Sequence, residues 1–487
     1  LFPHALQPPE FLYSAAMQSP LTVLDMLPRL ADRSLTSEAI VTRCYDAIAQ
    51  RESTVKAFIS LVPREDAIAQ ARAIDRRRAA GEQLPATAGI PIAIKDNIVV
   101  ANMRATAGSK MLADYVSPFH ATAVEKLLAA GLIIVGKTNT DEYGFGSSTE
   151  NSAFGPSTNP HDSTRVPGGT SGGSAAAVAA GFVPWALGSD TGGSVRQPAS
   201  FCGVVGLRPT YGRVSRYGLI AYASSMDTIG PIANSVEDAA MLLSIIEGRD
   251  ENDMTSRSFA PVQPPAQPRV AIVHEYLAPP CDPQIAAAVR AVAEAARAVG
   301  ASLHETSLAT TPHALATYYI IACVEAASNL GRYDGVRYGH RAKDATSIDD
   351  MITRSRSEAF GSEAKRRIML GTYAASAGYS DQYYRKACEV RRLIKQDFDK
   401  AFATADFLLT PVSPTTAWKL GEKSSDPMAM YLADILSVPA SLAGVPAVVI
   451  PWGKDTNGLP MGVQLTAQSG NDGALLAFAS KLQQHAP

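Results

Sequence analysis

The chain has 487 residues, enough for one large α/β unit or two to three smaller ones. Its 44 basic and 46 acidic side chains nearly cancel, and no long Lys/Arg cluster interleaved with aromatics occurs, so it is not built as the main grip on a nucleic acid. The five cysteines, Cys44, Cys202, Cys281, Cys323 and Cys388, form no C-x-x-C pair, which argues against a disulfide framework and against a metal site and fits a reducing cytoplasmic setting.

Residues 1–16 read as a leader or disordered extension ahead of Met17. Pro3, Pro8 and Pro9 interrupt their apolar residues and the first Lys or Arg is Arg29, so no charged segment followed by an apolar one, as in a secretory signal, is read there. From 20 to 80 the spacing is helical: SLTSEAIVTRCYDAIAQ starts on the possible caps Ser34 and Thr36 and then repeats apolar residues every three or four positions. From about 87, short apolar runs such as GIPIAIKD alternate with helical segments, the pattern of an α/β sheet protein. GLIIVGKT, residues 131–138, fits the phosphate-binding pattern G-x-x-x-x-G-K-[ST] letter for letter. Its middle residues are apolar and mostly β-branched, however, and the helical ATAVEKLLAA precedes it. The order reads helix, glycine stop, strand, which cannot cradle a nucleotide.

The longest uncharged stretch, Val166 to Ser189, is rich in Gly and Ser and reads as loop plus buried helix, not as a membrane span. Between 249 and 268, RDENDMTSRSFAPVQPPAQP is polar and proline-rich, a linker or long surface loop. Beyond it come the strand RVAIVHEY, the helix PQIAAAVRAVAEAARAVG, the strands DFLLTPV, PAVVIPWG and MGVQLTA, and the closing helix NDGALLAFASKLQQ. Strands on both sides of the proline-rich segment imply one sheet completed by both halves, with two domains as the alternative.

The densest chemical signal is RVPGGTSGGSAAAVAAGFVPWALGSDTGGSVRQPAS, residues 165–200. Glycines at this density let the backbone approach a ligand and free its N–H groups to point at developing negative charge. Gly169–Gly173 matches the G-x-S-x-G nucleophile elbow, but the polar loop NPHDSTRVPGG leads into it where a buried strand is required. The other reading places the nucleophile at Ser194, with the N–H groups of Thr191, Gly192 and Gly193 as oxyanion donors. No histidine lies in that stretch. Lys95, ending the apolar GIPIAIKD, is the candidate base, since desolvation lowers a lysine's pKa; a fall of roughly three units makes on the order of a quarter of it neutral at pH 7. Thr170 would relay the proton between them. Taken alone, a lysine after a strand is more often a surface lysine or the partner of its neighbour, here Asp96.

Together, Lys95, GGTSGGSAAAVAAG and GSDTGGSVRQP resemble the amidase signature family over nearly the whole chain from about residue 20. The resemblance implies an α/β fold with a large central mixed sheet covered by helices on both faces. It implies a single amidase domain over 17–487: N-terminal helices 20–80, a catalytic core 85–248, a connection 249–268 and a C-terminal part, 269–487, that completes the sheet and the substrate pocket. It further implies an acyl-enzyme on Ser194, Lys95 as base, and the family's middle serine, on a cis peptide, at Thr170. Threonine keeps the hydroxyl and adds a methyl group; Ser171, matching the second serine of the family's pair, is the alternative.

Within that family, NLGRYDGVRYGHR, EAFGSEAKRRIMLGTYAASAGYSDQYYRKA and DPMAMYLADILSVPASLAGVPAV look like the glutaminase subunits of tRNA-dependent amidotransferases. That resemblance implies a chain with no cofactor of its own, which frees ammonia from glutamine for a B subunit using ATP and Mg²⁺ on glutamyl-tRNA(Gln) or aspartyl-tRNA(Asn). A C subunit straps the two together, and tRNA is met only through the complex, with no membrane involved. It also implies Arg367 on the glutamine carboxylate, Asp434 on its ammonium and Tyr318 lining the pocket. The chemistry agrees, because a free amino acid needs a forked cation and a fixed carboxylate. Arg366 offers the same fork and rivals Arg367. Tyr318 and Tyr319 diverge on an apparent helix, so only one is expected to face the site. A stand-alone amidase of the same fold would not need both Arg367 and Asp434. A catalytically silent scaffold would be favoured only by Thr170.

Overall fold

The computed structural model describes residues 22–487, so the leader read into 1–16, with Met17, lies outside the described residues. Eleven strands among them form one sheet. In chain order these are β1 (Phe58–Leu61), β2 (Pro91–Lys95), β3 (Ile133–Thr138), β4 (Trp185–Asp190), β5 (Val205–Arg208) and β6 (Thr228–Ala233). After the proline-rich segment follow β7 (Arg269–Val273), β8 (Ser302–Thr306), β9 (Phe407–Pro411), β10 (Ala447–Lys454) and β11 (Pro460–Ala467). Across the sheet the order is β1-β3-β2-β4-β6-β5-β10-β11-β9-β7-β8. Pairing is parallel along β3-β2-β4 and β9-β7-β8 and antiparallel elsewhere, so the sheet is mixed and both halves of the chain contribute to it. Segment 249–268 forms no helix or strand, yet it is packed: Phe259 lies 4.7 Å from the Arg213 guanidinium.

Helices cover both faces, and strand parity sorts the side chains between them. In β2, buried throughout, Ile92 and Ile94 enter one core layer with Leu187, Val205 and helices Val236–Ile246 and Asp472–Gln483. Ala93 enters the opposite layer with Ala175, Val178 and Ile232. Successive side chains of a strand alternate faces, so Lys95 shares the side of Ala93 and of the helix Gly172–Ala179. Burial on both faces is why these strands read as continuous apolar runs instead of alternating patterns.

GLIIVGKT adopts the order the sequence implies: helix Thr122–Ala129, Gly131 at φ +78°, then β3. A side chain at Gly131 would sit 2.7 Å from the Ala88 methyl. Thr36 caps the helix Ser37–Val55 by accepting the Ala39 N–H at 3.1 Å; of the two possible caps it is the one used. Two readings are corrected. The helical region 20–80 contains the edge strand β1, four residues between two helices and too short to show a period. Val166 to Ser189 contains the buried helix but runs on into β4, whose residues Trp185 to Asp190 sit inside the sheet. Among the described residues no helix is long and apolar enough to cross a membrane.

Candidate active site

β2 ends on Lys95, a side chain with no exposure to solvent. Its Nζ donates to Thr170 Oγ1 at 2.6 Å and to Ser189 Oγ at 3.0 Å, and Asn97 Nδ2 donates to the same Ser189 hydroxyl at 2.9 Å. Burial pushes the ammonium down to about 7, outweighing the carboxylates of Asp141, Asp190 and Asp227. Lys95 is therefore not paired with Asp96. That carboxylate turns to the other side and meets Lys137 Nζ at 3.4 Å, both side chains wholly buried. The lysine of the misleading GKT triplet thus neutralises the acid beside Lys95, and Thr106 N–H, at 2.8 Å, holds the other Asp96 oxygen.

Thr170 lies on a cis Gly169–Thr170 peptide just before the helix Gly172–Ala179. Ser171 is committed elsewhere: its Oγ donates to Ser189 O at 3.1 Å and accepts Ser189 N–H at 3.2 Å. The hydroxyl beside the lysine is that of Thr170. The Ser171 N–H donates to Ser194 O at 3.0 Å and so ties the two glycine-rich loops together.

Ser194 is half-buried in the turn ahead of the helix Arg196–Cys202, and among the described residues its hydroxyl makes no hydrogen bond. The loop is held from behind by Asp190, whose Oδ2 accepts Arg196 Nε at 2.9 Å and whose Oδ1 accepts Arg208 Nη1 at 2.8 Å. Burial alone would raise this carboxyl, but the two guanidinium groups overcome it and hold it well below the usual range. Arg196 also donates to Ser437 O at 2.9 Å and Gln464 Oε1 at 2.6 Å, which anchors the loop to the C-terminal half of the chain. Gly193 N–H donates to Asp190 Oδ1 at 3.1 Å. This corrects its assignment as an oxyanion donor, because the amide is already committed to the anchor. Among the described residues the Thr191 and Gly192 N–H groups meet no acceptor. The Thr191 hydroxyl is fixed by Asp227 Oδ1 at 2.6 Å.

Arg367 is 2 % exposed and Arg366 carries a side chain 42 % exposed, which decides between the rivals. The Arg367 guanidinium donates through Nε to Glu363 Oε1 at 2.8 Å and through Nη1 to Tyr222 Oη at 2.6 Å. It is ringed by Phe145, Tyr222, Tyr319 and Tyr431, with centroids at 5.2, 5.6, 5.1 and 5.4 Å. Such cation–π contacts offset part of the cost of burying the charge. Nη2 makes no hydrogen bond among the described residues, so one edge of the fork is open. Asp434, 8 % exposed, accepts from Ser147 Oγ at 2.6 Å; burial pushes it up to about 7 despite that bond and the pull of Arg367. The Tyr318 phenol lies over the glycine loop, where a side chain on Gly192 would come within 2.7 Å of its oxygen. Tyr318 and Tyr319 both border the site, one on the loop and the other on Arg367, which corrects the expectation that only one would. Their rings meet edge-on at 5.1 Å, as neighbours diverging around a helix must.

Lys95, Thr170, Ser194, Arg367, Asp434 and Tyr318 thus converge from both halves of the chain. Sequence reading assigned no role to Asp190, Ser189, Asn97, Glu363 or Tyr222. Asp190 stands inside the quoted GSDTGGSVRQP and Glu363 one helical turn before Arg367, so both carried a local signal. Tyr222 is separated from Arg367 by 145 positions and carried none.

The chain matches the family described as Amidase over residues 39–476. It is similar to proteins known as the A subunit of glutamyl-tRNA(Gln) amidotransferase. That of Koribacter versatilis is 50 % identical over 461 residues, covering 93 % of this chain and 96 % of the relative. That of Prochlorococcus marinus is 53 % identical over 447 residues, covering 90 % and 92 %. The crystal structure of the same enzyme's A subunit from Thermotoga maritima shares 40 % identity at a TM-score of 0.79, covering 96 % of this chain and 95 % of that one. The native peptide amidase from Stenotrophomonas maltophilia shares 28 % at a TM-score of 0.81, covering 98 % of each chain.

Proposed function

Because the chain belongs to the amidase signature family, we propose that it hydrolyses glutamine as the glutaminase subunit of a tRNA-dependent amidotransferase. The observation that carries this reading is the buried Arg367 with one open guanidinium edge, in the same site as a buried carboxylate, Asp434. A hydrolase for simple amides has no use for an internal cation ringed by four aromatic side chains. An α-amino acid does, for its carboxylate and its ammonium respectively.

In this mechanism Ser194 Oγ attacks the side-chain amide carbon while its proton passes through Thr170 to neutral Lys95. The 2.6 Å contact between Lys95 and Thr170 serves that transfer in either direction. The oxyanion is received by the Thr191 and Gly192 N–H groups, fixed in place before the reaction and so free of reorganisation cost. Collapse returns the proton from Lys95 through Thr170 to the leaving nitrogen and releases ammonia. Water then cleaves the glutamyl ester by the same relay, giving glutamate and free Ser194. Ammonia is the chain's product for a B subunit, where ATP, Mg²⁺ and the misacylated tRNA are handled, with a C subunit joining the two. The near-neutral charge suits a chain that meets tRNA only through such a complex in the cytoplasm.

The test is ammonia release from glutamine, asparagine and propionamide by the purified chain, alone and with its B and C subunits, using Ser194→Ala as the blank. Release that strongly prefers glutamine, with only slow turnover of propionamide by the same relay, and that is lost in the variant supports the reading. A preference for propionamide refutes it in favour of a stand-alone amidase, and silence in the assembled complex refutes it in favour of a scaffold.

A further inference from the structure

We propose that Glu142 is a positioning residue for Arg367 and thereby sets affinity for the substrate's α-carboxylate, an inference that rests on the glutaminase reading above. Glu142 lies in the 3₁₀ turn after β3, 3 % exposed, and takes no part in the relay. Its carboxylate accepts the Gly361 N–H at 2.9 Å through Oε2 and the Ser109 hydroxyl at 2.5 Å through Oε1. Gly361 is the N-cap of the helix Ser362–Ala375, the helix that carries Glu363 and Arg367, and as a glycine it supplies no capping side chain of its own. Glu142, 219 positions away in sequence, instead accepts the N–H of this N-cap residue, the bond that the acidic member of a capping box would make. An acidic group at a helix N-terminus is favoured by the unpaired N–H groups and by the helix dipole.

The tie has a second end. Phe145, three residues beyond Glu142, places its ring 5.2 Å from the Arg367 guanidinium, and Ser147 holds Asp434 at 2.6 Å. One short segment, 142–147, therefore fixes the start of the Arg367 helix, the aromatic floor under the guanidinium and the partner of the ammonium-binding carboxylate. The fit is close, since a side chain at Gly361 would come within 2.5 Å of Glu142 Oε2. Losing the tie frees the helix to shift against its floor, and displacements of about an ångström in a positioned group cost up to 10²-fold.

The experiment compares Glu142→Ala, Glu142→Gln and wild type in the full complex, with steady-state kinetics on glutamine and on propionamide. Glu142→Ala is expected to raise KM for glutamine about tenfold with kcat within about threefold, and to lose about tenfold more kcat/KM on glutamine than on propionamide. Glutamine at this position keeps an acceptor for Gly361 N–H and should bring KM back to within about threefold of wild type. Gly361→Ala, at a backbone φ of −69° that alanine accepts, pushes the same contact apart from the other side and should raise KM as well. KM within about twofold of wild type in Glu142→Ala or, if that variant does not fold, in Gly361→Ala overturns the proposal, as does an equal loss on both amides. A wild-type complex inactive on glutamine overturns the glutaminase reading and this proposal with it, whereas indifferent variants of an active complex overturn this proposal alone.

Discussion

Between pH 8 and pH 6, kcat/KM for a simple amide such as propionamide should fall about tenfold as Lys95 takes up its proton. With burial holding the ammonium at about 7, the neutral fraction is roughly 0.9 at pH 8 and roughly 0.09 at pH 6, and it is nearly flat above pH 8. A lysine at the usual value of about 10.4 would lose about a hundredfold over the same interval and still be climbing at pH 9. The two cases therefore separate both in size and in the presence of a plateau. The assay is coupled detection of ammonia from pH 5.5 to 9.5 with substrate well below KM, where the profile reports ionisations of the free enzyme. A hundredfold fall with no plateau by pH 9 would refute the reasoning. Stability supplies an independent arm. Between pH 7 and about 10.4 the unfolded chain binds the proton that folded Lys95 has lost, so stability rises with pH there and the cost of burial is fully present below 7. The fall from 10.5 to about 7 corresponds to on the order of 5 kcal/mol. Lys95→Met should accordingly raise Tm at pH 6 while abolishing hydrolysis, and an unchanged or lower Tm would count against desolvation as the cause.

On glutamine a second group enters. Asp434, pushed up to about 7 by burial, must be ionised to hold the α-ammonium, so the logarithmic slope of kcat/KM below pH 6.5 should approach two, against one for propionamide; equal slopes would remove Asp434 from ammonium recognition. Thr170→Val, which deletes the relay hydroxyl and keeps the shape, should lower kcat by about 10² to 10⁴ with little loss of stability. Ser171→Ala should do the reverse, retaining most of kcat and losing about 1–3 kcal/mol in denaturant unfolding, because the buried Ser189 N–H loses the hydroxyl that accepts it. Lys137→Met strands the buried Asp96 carboxylate and should cost about 3–5 kcal/mol at pH 7, most of it recovered in the double variant with Asp96→Asn; a double variant as unstable as the single would show that the pair's charge is not what matters.

The reach of the sequence can be followed residue by residue. Gly131 and the apolar run after it exclude a phosphate loop by local chemistry alone, since no tertiary contact could turn that run into an anion cradle. The glycine-rich runs around Thr170 and Ser194 mark the candidate reacting loops because the backbone freedom that such chemistry needs leaves a compositional trace, and resemblance to the amidase signature family adds Lys95 and the role expected of each residue. What stays illegible are relations between side chains far apart in sequence. Whether Arg366 or Arg367 faces inward depends on how one helix is rotated against Phe145 and Tyr222. Whether Gly193 donates to substrate or to Asp190 depends on two guanidinium groups that fix the carboxylate behind it.

By itself, then, the sequence determined an α/β chain with strands on both sides of the proline-rich segment, the glycine-rich loops around Thr170 and Ser194 and the apolar run ending on Lys95, whereas the mixed sheet, the roles expected of these residues and the charges expected of the substrate followed from resemblance to the amidase signature family. Periodicity, glycine density and residue chemistry are local properties. Only the tertiary structure decided that Lys95 is desolvated and that Asp96 is neutralised from behind by Lys137. It also decided that Glu142 holds the N-cap residue of the Arg367 helix, because burial and long-range pairing exist only once the strands are in register and the helices are packed upon them.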